Sequence, residues 1–115
     1  MPSHGQTPEG LVKAQIRNIL RLLKVQHFVH FSGALSHPGV PDIIGSIPPN
    51  GRALFLEVKA PGKKPNPSQV SFLAEYASTG AIAFFADNPQ TVIDTLAAYN
   101  YEPAKRIKEM FPKRP

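Results

Sequence analysis

The chain has 115 residues, of which thirteen are Lys or Arg and eight are Asp or Glu, so its formal net charge is +5. It contains no cysteine, which excludes disulfides, thiolate metal ligands and a cysteine nucleophile. No apolar run approaches the roughly 20 residues needed to cross a bilayer, and the N-terminal residues lack the apolar segment of a secretory signal. We therefore expect a single cytoplasmic domain over residues 1–115, with no membrane contact and with a charge that suits a polyanionic partner.

The first predicted helix begins with Thr7 as the N-cap, Pro8 at the first helical position and Glu9 in the first turn. It is expected to run to about residue 24, because apolar residues recur at helical spacing: Val12, Ile16, Ile19 and Leu23. Basic residues lie beside them: Lys13, Arg17, Arg21 and Lys24. A basic stripe of this kind is most often a solvated face.

Three predicted strands follow, at residues 26–31, 42–47 and 53–60. A Gly/Pro/Ser loop at residues 32–41 separates the first two, and a PPNG turn at residues 48–51 separates the second and third. The turn makes the last two strands a hairpin.

The second half of the chain alternates helix and strand. A lysine-bearing loop leads to a helix that begins at Asn66 and ends near Gly80, followed by a buried strand at residues 81–86. Asp87 or Asn88 caps a third helix, and the basic tail at residues 101–115 is expected to form a short helix with a frayed end. The order predicts an α/β fold in which helices flank a mixed sheet.

Charged residues cluster at one end of the predicted hairpin. Side chains at i and i+2 of a strand share a face, so Glu57 and Lys59 point the same way, and counting from the turn places Asp42 opposite Glu57. Two adjacent carboxylates raise the pKa of one of them unless a positive charge lies between them. Mg²⁺ or Mn²⁺, which prefers oxygen ligands, is the natural occupant.

The sequence around these residues resembles the VRR-NUC branch of the PD-(D/E)xK nucleases, over about residues 7–98. Four segments carry the resemblance: Gly39-Val40-Pro41-Asp42, Leu56-Glu57-Val58-Lys59, Gly62-Lys63-Lys64 and Pro67-Ser68-Gln69. The resemblance implies a restriction-endonuclease-like αβββαβ core and phosphodiester hydrolysis that depends on Mg²⁺ or Mn²⁺. It implies action on branched DNA, such as four-way (Holliday) junctions, by a homodimer in a repair, bacterial or phage context. A helicase or repair protein is a candidate partner, and the sequence does not decide whether one is required.

The resemblance also implies roles for individual residues. The metal ligands would be Asp42, Glu57, the Val58 carbonyl and Glu9, and the catalytic set would be Asp42, Glu57, Lys59 and Gln69. Two of these have ordinary alternatives. Glu9 suits a helix N-terminus and lies four residues before Lys13, and Gln69 has capping-box spacing from Asn66.

Candidate DNA contacts are the basic residues near the site: Lys63, Lys64, Lys13, Arg17 and His37. Such contacts would position a duplex without reading its sequence. Apolar residues around Ile82, Phe84 and Phe85 are candidates for part of a dimer surface. The competing interpretation is a non-catalytic nucleic-acid-binding module of the same fold. A sequence-specific restriction enzyme is disfavoured, because the chain has no room for a target-recognition domain.

Overall fold

Four strands and four helices make up the computed structural model, which describes residues 6–31 and 37–111. In chain order they are α1 (Pro8–Leu22), β1 (Gln26–Val29), β2 (Ile43–Ile47), β3 (Arg52–Val58), α2 (Pro67–Ala77), β4 (Ile82–Ala86), α3 (Pro89–Ala98) and α4 (Glu102–Met110). The strands form one sheet in the order β1-β2-β3-β4, with the first two pairings antiparallel and the last parallel. The predicted mixed α/β fold is confirmed.

The helix starts follow from capping side chains. The Thr7 hydroxyl accepts a hydrogen bond from the Gly10 amide, and the Asn88 side chain accepts one from the Thr91 amide, each at 2.9 Å. A proline follows each cap, where its missing N–H costs nothing. Of the two caps considered for α3, Asn88 is the one used.

The main core lies between one face of the sheet and the helices α1 and α3. Alternate residues of β3 point into it, and its fully buried members include Ile16, Leu20, Leu54, Leu56, Val58, Val92 and Leu96. The opposite face of β3 carries Phe55, whose ring contacts Phe72 and Tyr76 of α2. Helix α2 therefore covers the face that also carries Glu57.

Helix α4 extends the domain beyond the predicted core. Ala104 is fully buried against the core, and the Tyr101 hydroxyl donates a hydrogen bond to the backbone carbonyl of Leu23, at the end of α1. The predicted short C-terminal helix is therefore present, and it packs on the domain. Part of the loop predicted at residues 32–41 and the end of the basic tail lie outside the described residues, which omit 1–5, 32–36 and 112–115.

One surface expectation needs correction. Ile82 is only 1% exposed and Phe84 packs against the core, because both point from β4 towards the core face of the sheet. Ile82 is therefore not free to form a dimer surface, whereas Phe84 and Phe85 are only partly buried and their part in a dimer stays a prediction. Among the described helices, none combines the length and the apolar character that a membrane span requires.

Candidate active site

The strand register brings Asp42 and Glu57 together. Ile43 pairs with Leu56, so Asp42, the residue before β2, lies opposite Glu57 in β3. The Asp42 Oδ2 atom accepts a hydrogen bond of 2.9 Å from the Val58 amide. Its backbone carbonyl accepts another, of 2.7 Å, from the His30 amide just beyond β1. Asp42 is thus held from both sides at the end of the sheet.

Glu57 is buried on the face that α2 covers. It is only 4% exposed, and its Oε2 atom accepts a hydrogen bond of 3.0 Å from Gln69 Nε2. The Lys59 ammonium lies 3.4 Å from the same oxygen, as the alternation of side chains along β3 predicts. One carboxylate oxygen therefore faces both a neutral and a charged donor.

Gln69 is the capping-box partner that its spacing from Asn66 predicts, and it also contacts Glu57, while its catalytic role stays a prediction. Its Oε1 atom accepts a hydrogen bond from the Asn66 amide, and the Asn66 side chain accepts one from the Gln69 amide, which completes a capping box at the start of α2. Its Nε2 atom remains available for Glu57. The cap therefore fixes the position of a donor at the site.

The pKa of Glu57 is raised from its ordinary value of 4.5 to about 7. Burial is the largest cause, and the neighbouring Asp42 charge adds to it, while Lys59 opposes both. A carboxyl in this setting takes up a proton near neutral pH, unless a further positive charge lies close by. The two carboxylates therefore have the electrostatic character of a cation site.

Lys13 also belongs to this cluster. Its ammonium reaches from α1 to within 3.5 Å of Asp42 Oδ1, and both side chains are largely buried, at 23% and 21% exposure. The sequence predicted Lys13 as a DNA contact and gave no signal for this ion pair. Helix α1 and strand β2 are distant in the chain, so only their packing brings the two residues together.

Glu9 does not join the carboxylate pair in a three-residue group. Across residues 6–31 and 37–111, no three His, Cys, Asp or Glu side chains come together in a metal-holding arrangement. Glu9 occupies the first turn of α1, where its charge suits the helix N-terminus. Its role as a ligand stays a prediction, as does that of the Val58 carbonyl.

The loop after β3 presents Lys63 and Lys64 to solvent. The Gly62 amide donates a hydrogen bond of 2.9 Å to Asp87 Oδ2, which anchors this loop to the end of β4 and lowers the pKa of Asp87. The Lys64 ammonium lies 5.8 Å from the centre of the Phe85 ring. The anchoring role of Asp87 was not predicted, because its spacing from Gly62 carries no pattern.

The other two predicted DNA contacts have local partners of their own. Arg17 Nε donates to His27 Nε2 at 3.3 Å, and the exposed His37 ring lies edge-on to Phe72, with 6.2 Å between ring centres. Neither of these contacts involves a carboxylate of the site. Binding of DNA by these residues stays a prediction.

A close backbone contact aligns the site loop with α2. Gly39 has a φ of +82°, and a Cβ atom built on it would lie 2.3 Å from the Ser68 carbonyl oxygen. Only glycine allows the chain before Asp42 to pass this close to the first turn of α2. The contact links the position of Asp42 to the position of Gln69.

The residues present fit a divalent cation. Asp42 and Glu57 offer carboxylate oxygens, the ligands that Mg²⁺ and Mn²⁺ prefer, and they are held side by side by donors from β1, β3 and α2. The raised pKa of Glu57 comes first from burial and then from the Asp42 charge, and a bound cation would favour the charged carboxylate.

Comparison with known proteins gives a consistent result. The sequence model of the VRR-NUC domain matches residues 5–87. A solved structure described as "VRR_NUC domain" superposes with a TM-score of 0.67 at 26% identity, over 81% of this chain and 98% of that one. A protein named "Putative nuclease p44", from Acyrthosiphon pisum secondary endosymbiont phage 1, is 39% identical over 62 residues, which are 54% of this chain and 64% of that protein. The chain belongs to the VRR-NUC family.

Proposed function

We propose that this protein is a Mg²⁺- or Mn²⁺-dependent endonuclease that hydrolyses phosphodiester bonds in DNA. The observation that carries the proposal is the carboxylate pair Asp42 and Glu57, which is held at one end of the sheet. The Lys59 ammonium forms an ion pair with Glu57. The family match and the name of the phage relative support nuclease chemistry.

Asp42 and Glu57 would hold the metal, together with the Val58 carbonyl and Glu9 as further candidate ligands. The bound ion would supply positive charge to the scissile phosphate and lower the pKa of a water molecule. The protein's own part is to keep both carboxylates in place. The Val58 amide orients Asp42, and the Gln69 amide group orients Glu57.

Lys59 supplies a positive charge that the chain itself carries. Its side chain is only 16% exposed, so its ammonium is less screened than that of a surface lysine. Next to a scissile phosphate it would stabilise the negative charge that develops as water attacks. A lysine serves here as a point charge.

The substrate we propose is branched DNA, such as a four-way junction. The described residues include exposed lysines beside the site, which would contact phosphates and hold the DNA without reading bases. Recognition by shape therefore suits this surface better than recognition of a sequence. Because one chain offers one carboxylate pair, paired cuts across a symmetric junction call for a homodimer with two-fold symmetry.

The first test is cleavage of a labelled four-way junction and of its matched linear duplex in Mn²⁺. We expect the wild type to cut the junction, while Asp42→Asn and Lys59→Met bind it but reduce cutting at least a hundredfold. Light scattering of the wild type with the junction would report whether two copies are bound.

Two outcomes would overturn parts of the proposal. If the wild type binds the junction without cutting it in Mn²⁺ or in Mg²⁺, the non-catalytic binding module becomes the better interpretation. Equal cutting of junction and duplex would retain the nuclease and remove the branch preference.

A further inference from the structure

Two lysines balance the two carboxylates of the candidate site. Lys59, the residue directly after β3, faces Glu57, and Lys13 faces Asp42 from α1. With all four groups ionised, the charges of the cluster cancel. Lys59 directly follows the strand that carries its partner, whereas Lys13 reaches Asp42 from a separate element.

Lys13 contacts the Asp42 oxygen that the Val58 amide does not use. The Val58 amide uses Oδ2, whereas Oδ1 faces the Lys13 ammonium at 3.5 Å. That separation marks an ion pair without a close hydrogen bond, so Lys13 is held mainly by charge. An incoming cation would meet this ammonium at the oxygen it needs.

We propose that Lys13 is an exchangeable counter-ion of Asp42, which passes to a DNA phosphate when a divalent cation takes its place. This inference rests on the proposed function. Without DNA, the ammonium opposes the cation, because like charges a few ångströms apart repel strongly in a largely buried site. With DNA bound, a phosphate accepts the displaced ammonium.

The consequence is a linkage between metal and DNA. A bound divalent cation raises the net charge of the neutral cluster to +2, and the release of Lys13 towards a DNA phosphate lowers it to +1. Each ligand therefore strengthens the other, and the two effects must be equal in binding free energy. Lys13 makes the site a poor metal binder alone and a good one on DNA.

The test measures Mn²⁺ binding by calorimetry, first without DNA, for the wild type and Lys13→Met. We expect the variant to bind Mn²⁺ about tenfold more tightly, because the competing charge is gone. Lys13→Arg keeps the charge and should bind like the wild type. The matched control is Arg21→Met, which removes a charge from the same helix, where the Arg21 side chain donates a hydrogen bond to Asn18 and to no carboxylate of the site.

The second measurement is the affinity for a fluorescent duplex in EDTA and in Ca²⁺, by anisotropy. We expect the strengthening that Ca²⁺ gives to be at least threefold smaller in Lys13→Met than in the wild type or in Arg21→Met. Thermal melting of each metal-free protein checks that the variants fold.

The outcomes separate this proposal from the proposed function. Mn²⁺ affinity in Lys13→Met that is equal to or weaker than the wild-type value overturns the role of Lys13, while leaving the metal site intact. If wild type and Asp42→Asn both fail to bind Mn²⁺, with and without DNA, the metal site and this inference fall together.

Discussion

At the scale of single residues, the site depends on how the negative charge of Glu57 is balanced by its neighbours. Burial and Asp42 favour its protonated form, while Lys59 favours its charged form, and the balance leaves the pKa at about 7. This value lies in the range where most enzymes operate, so pH should control both the stability of the fold and the binding of metal.

The first prediction concerns stability without metal. The folded pKa of Glu57 is about 7 and the ordinary value is 4.5, so between these values the folded protein holds more protons than the unfolded chain. The free energy of unfolding should therefore fall as the pH rises from about 4.5 to 7, by at most about 3 kcal/mol. Urea unfolding in EDTA from pH 5 to 8 would measure it. Glu57→Gln should lack this slope, and parallel curves for the two proteins would contradict the prediction.

The second prediction concerns metal binding. The cation needs the charged form of Glu57, so binding below pH 7 must displace its proton. We expect Mn²⁺ affinity to fall about tenfold for each pH unit below 7. Calorimetry in two buffers of different ionisation enthalpy should count about one proton released at pH 6 and almost none at pH 8. A count that does not change with pH would exclude Glu57 as the titrating ligand.

The third prediction separates the two roles of Gln69. Gln69→Leu removes both the capping partner and the donor to Glu57, whereas Asn66→Ala removes only the cap. Each should lose about 1 kcal/mol of stability. Only Gln69→Leu should also slow cleavage and move its pH profile upwards, because the lost donor favoured the charged carboxylate. Equal profiles in the two variants would show that Gln69 serves the helix alone.

At the scale of elements, the site depends on how the loop before β2 meets α2. The chain at Gly39 passes against the Ser68 carbonyl in a conformation that side chains rarely adopt. Asp42 follows three residues later and Gln69 directly follows Ser68. One backbone contact therefore aligns residues from two elements.

The fourth prediction tests this contact. Gly39→Ala should destabilise the fold by about 2 kcal/mol or more, because the new Cβ adds a backbone clash to the strain of positive φ. Gly62→Ala is the control, since Gly62 has the same φ of +82° but nothing within 4 Å of its Cβ position. It should lose about 1 kcal/mol. Urea unfolding compares them, and equal losses would mean that the clash relaxes freely.

At the scale of the whole molecule, the segment that begins α4 packs against the C-terminal end of α1. Tyr101, which precedes α4, bonds to the end of α1, and Ala104 is buried in the common core. The matched family region ends at residue 87, so α3 and α4 lie beyond it. The last helix thus braces α1, the element that carries Lys13.

The fifth prediction concerns this brace. Tyr101→Phe should lower the free energy of unfolding by about 1 kcal/mol, because the Leu23 carbonyl loses its donor. Tyr99→Phe is the control. Its ring is 43% exposed and lies under the Arg52 guanidinium, a contact that phenylalanine keeps. Thermal or urea unfolding measures both, and a loss in Tyr99→Phe as large as that in Tyr101→Phe would argue against the brace.

The sequence alone was enough to predict most of the helices and strands and the way they pair. The prolines and the capping residues Thr7, Asn66 and Asn88 marked where helices begin, because their chemistry acts within one turn. The PPNG turn set the hairpin register, so Asp42 was correctly placed opposite Glu57. Alternation along β3 put Lys59 beside Glu57. These relations are local in the chain, and local patterns encode them.

Other features were decided by tertiary packing. The contact of Lys13 with Asp42 and the anchoring of Gly62 by Asp87 each join segments that are far apart in the chain. No spacing rule relates such segments, because their separation in space depends on how helices lie on the sheet. The sequence alone was enough to predict that Asp42, Glu57 and Lys59 lie together, because strand alternation and a short turn relate them. Only the folded structure decided which residues of the helices complete their surroundings, because burial and charge compensation arise when those helices pack.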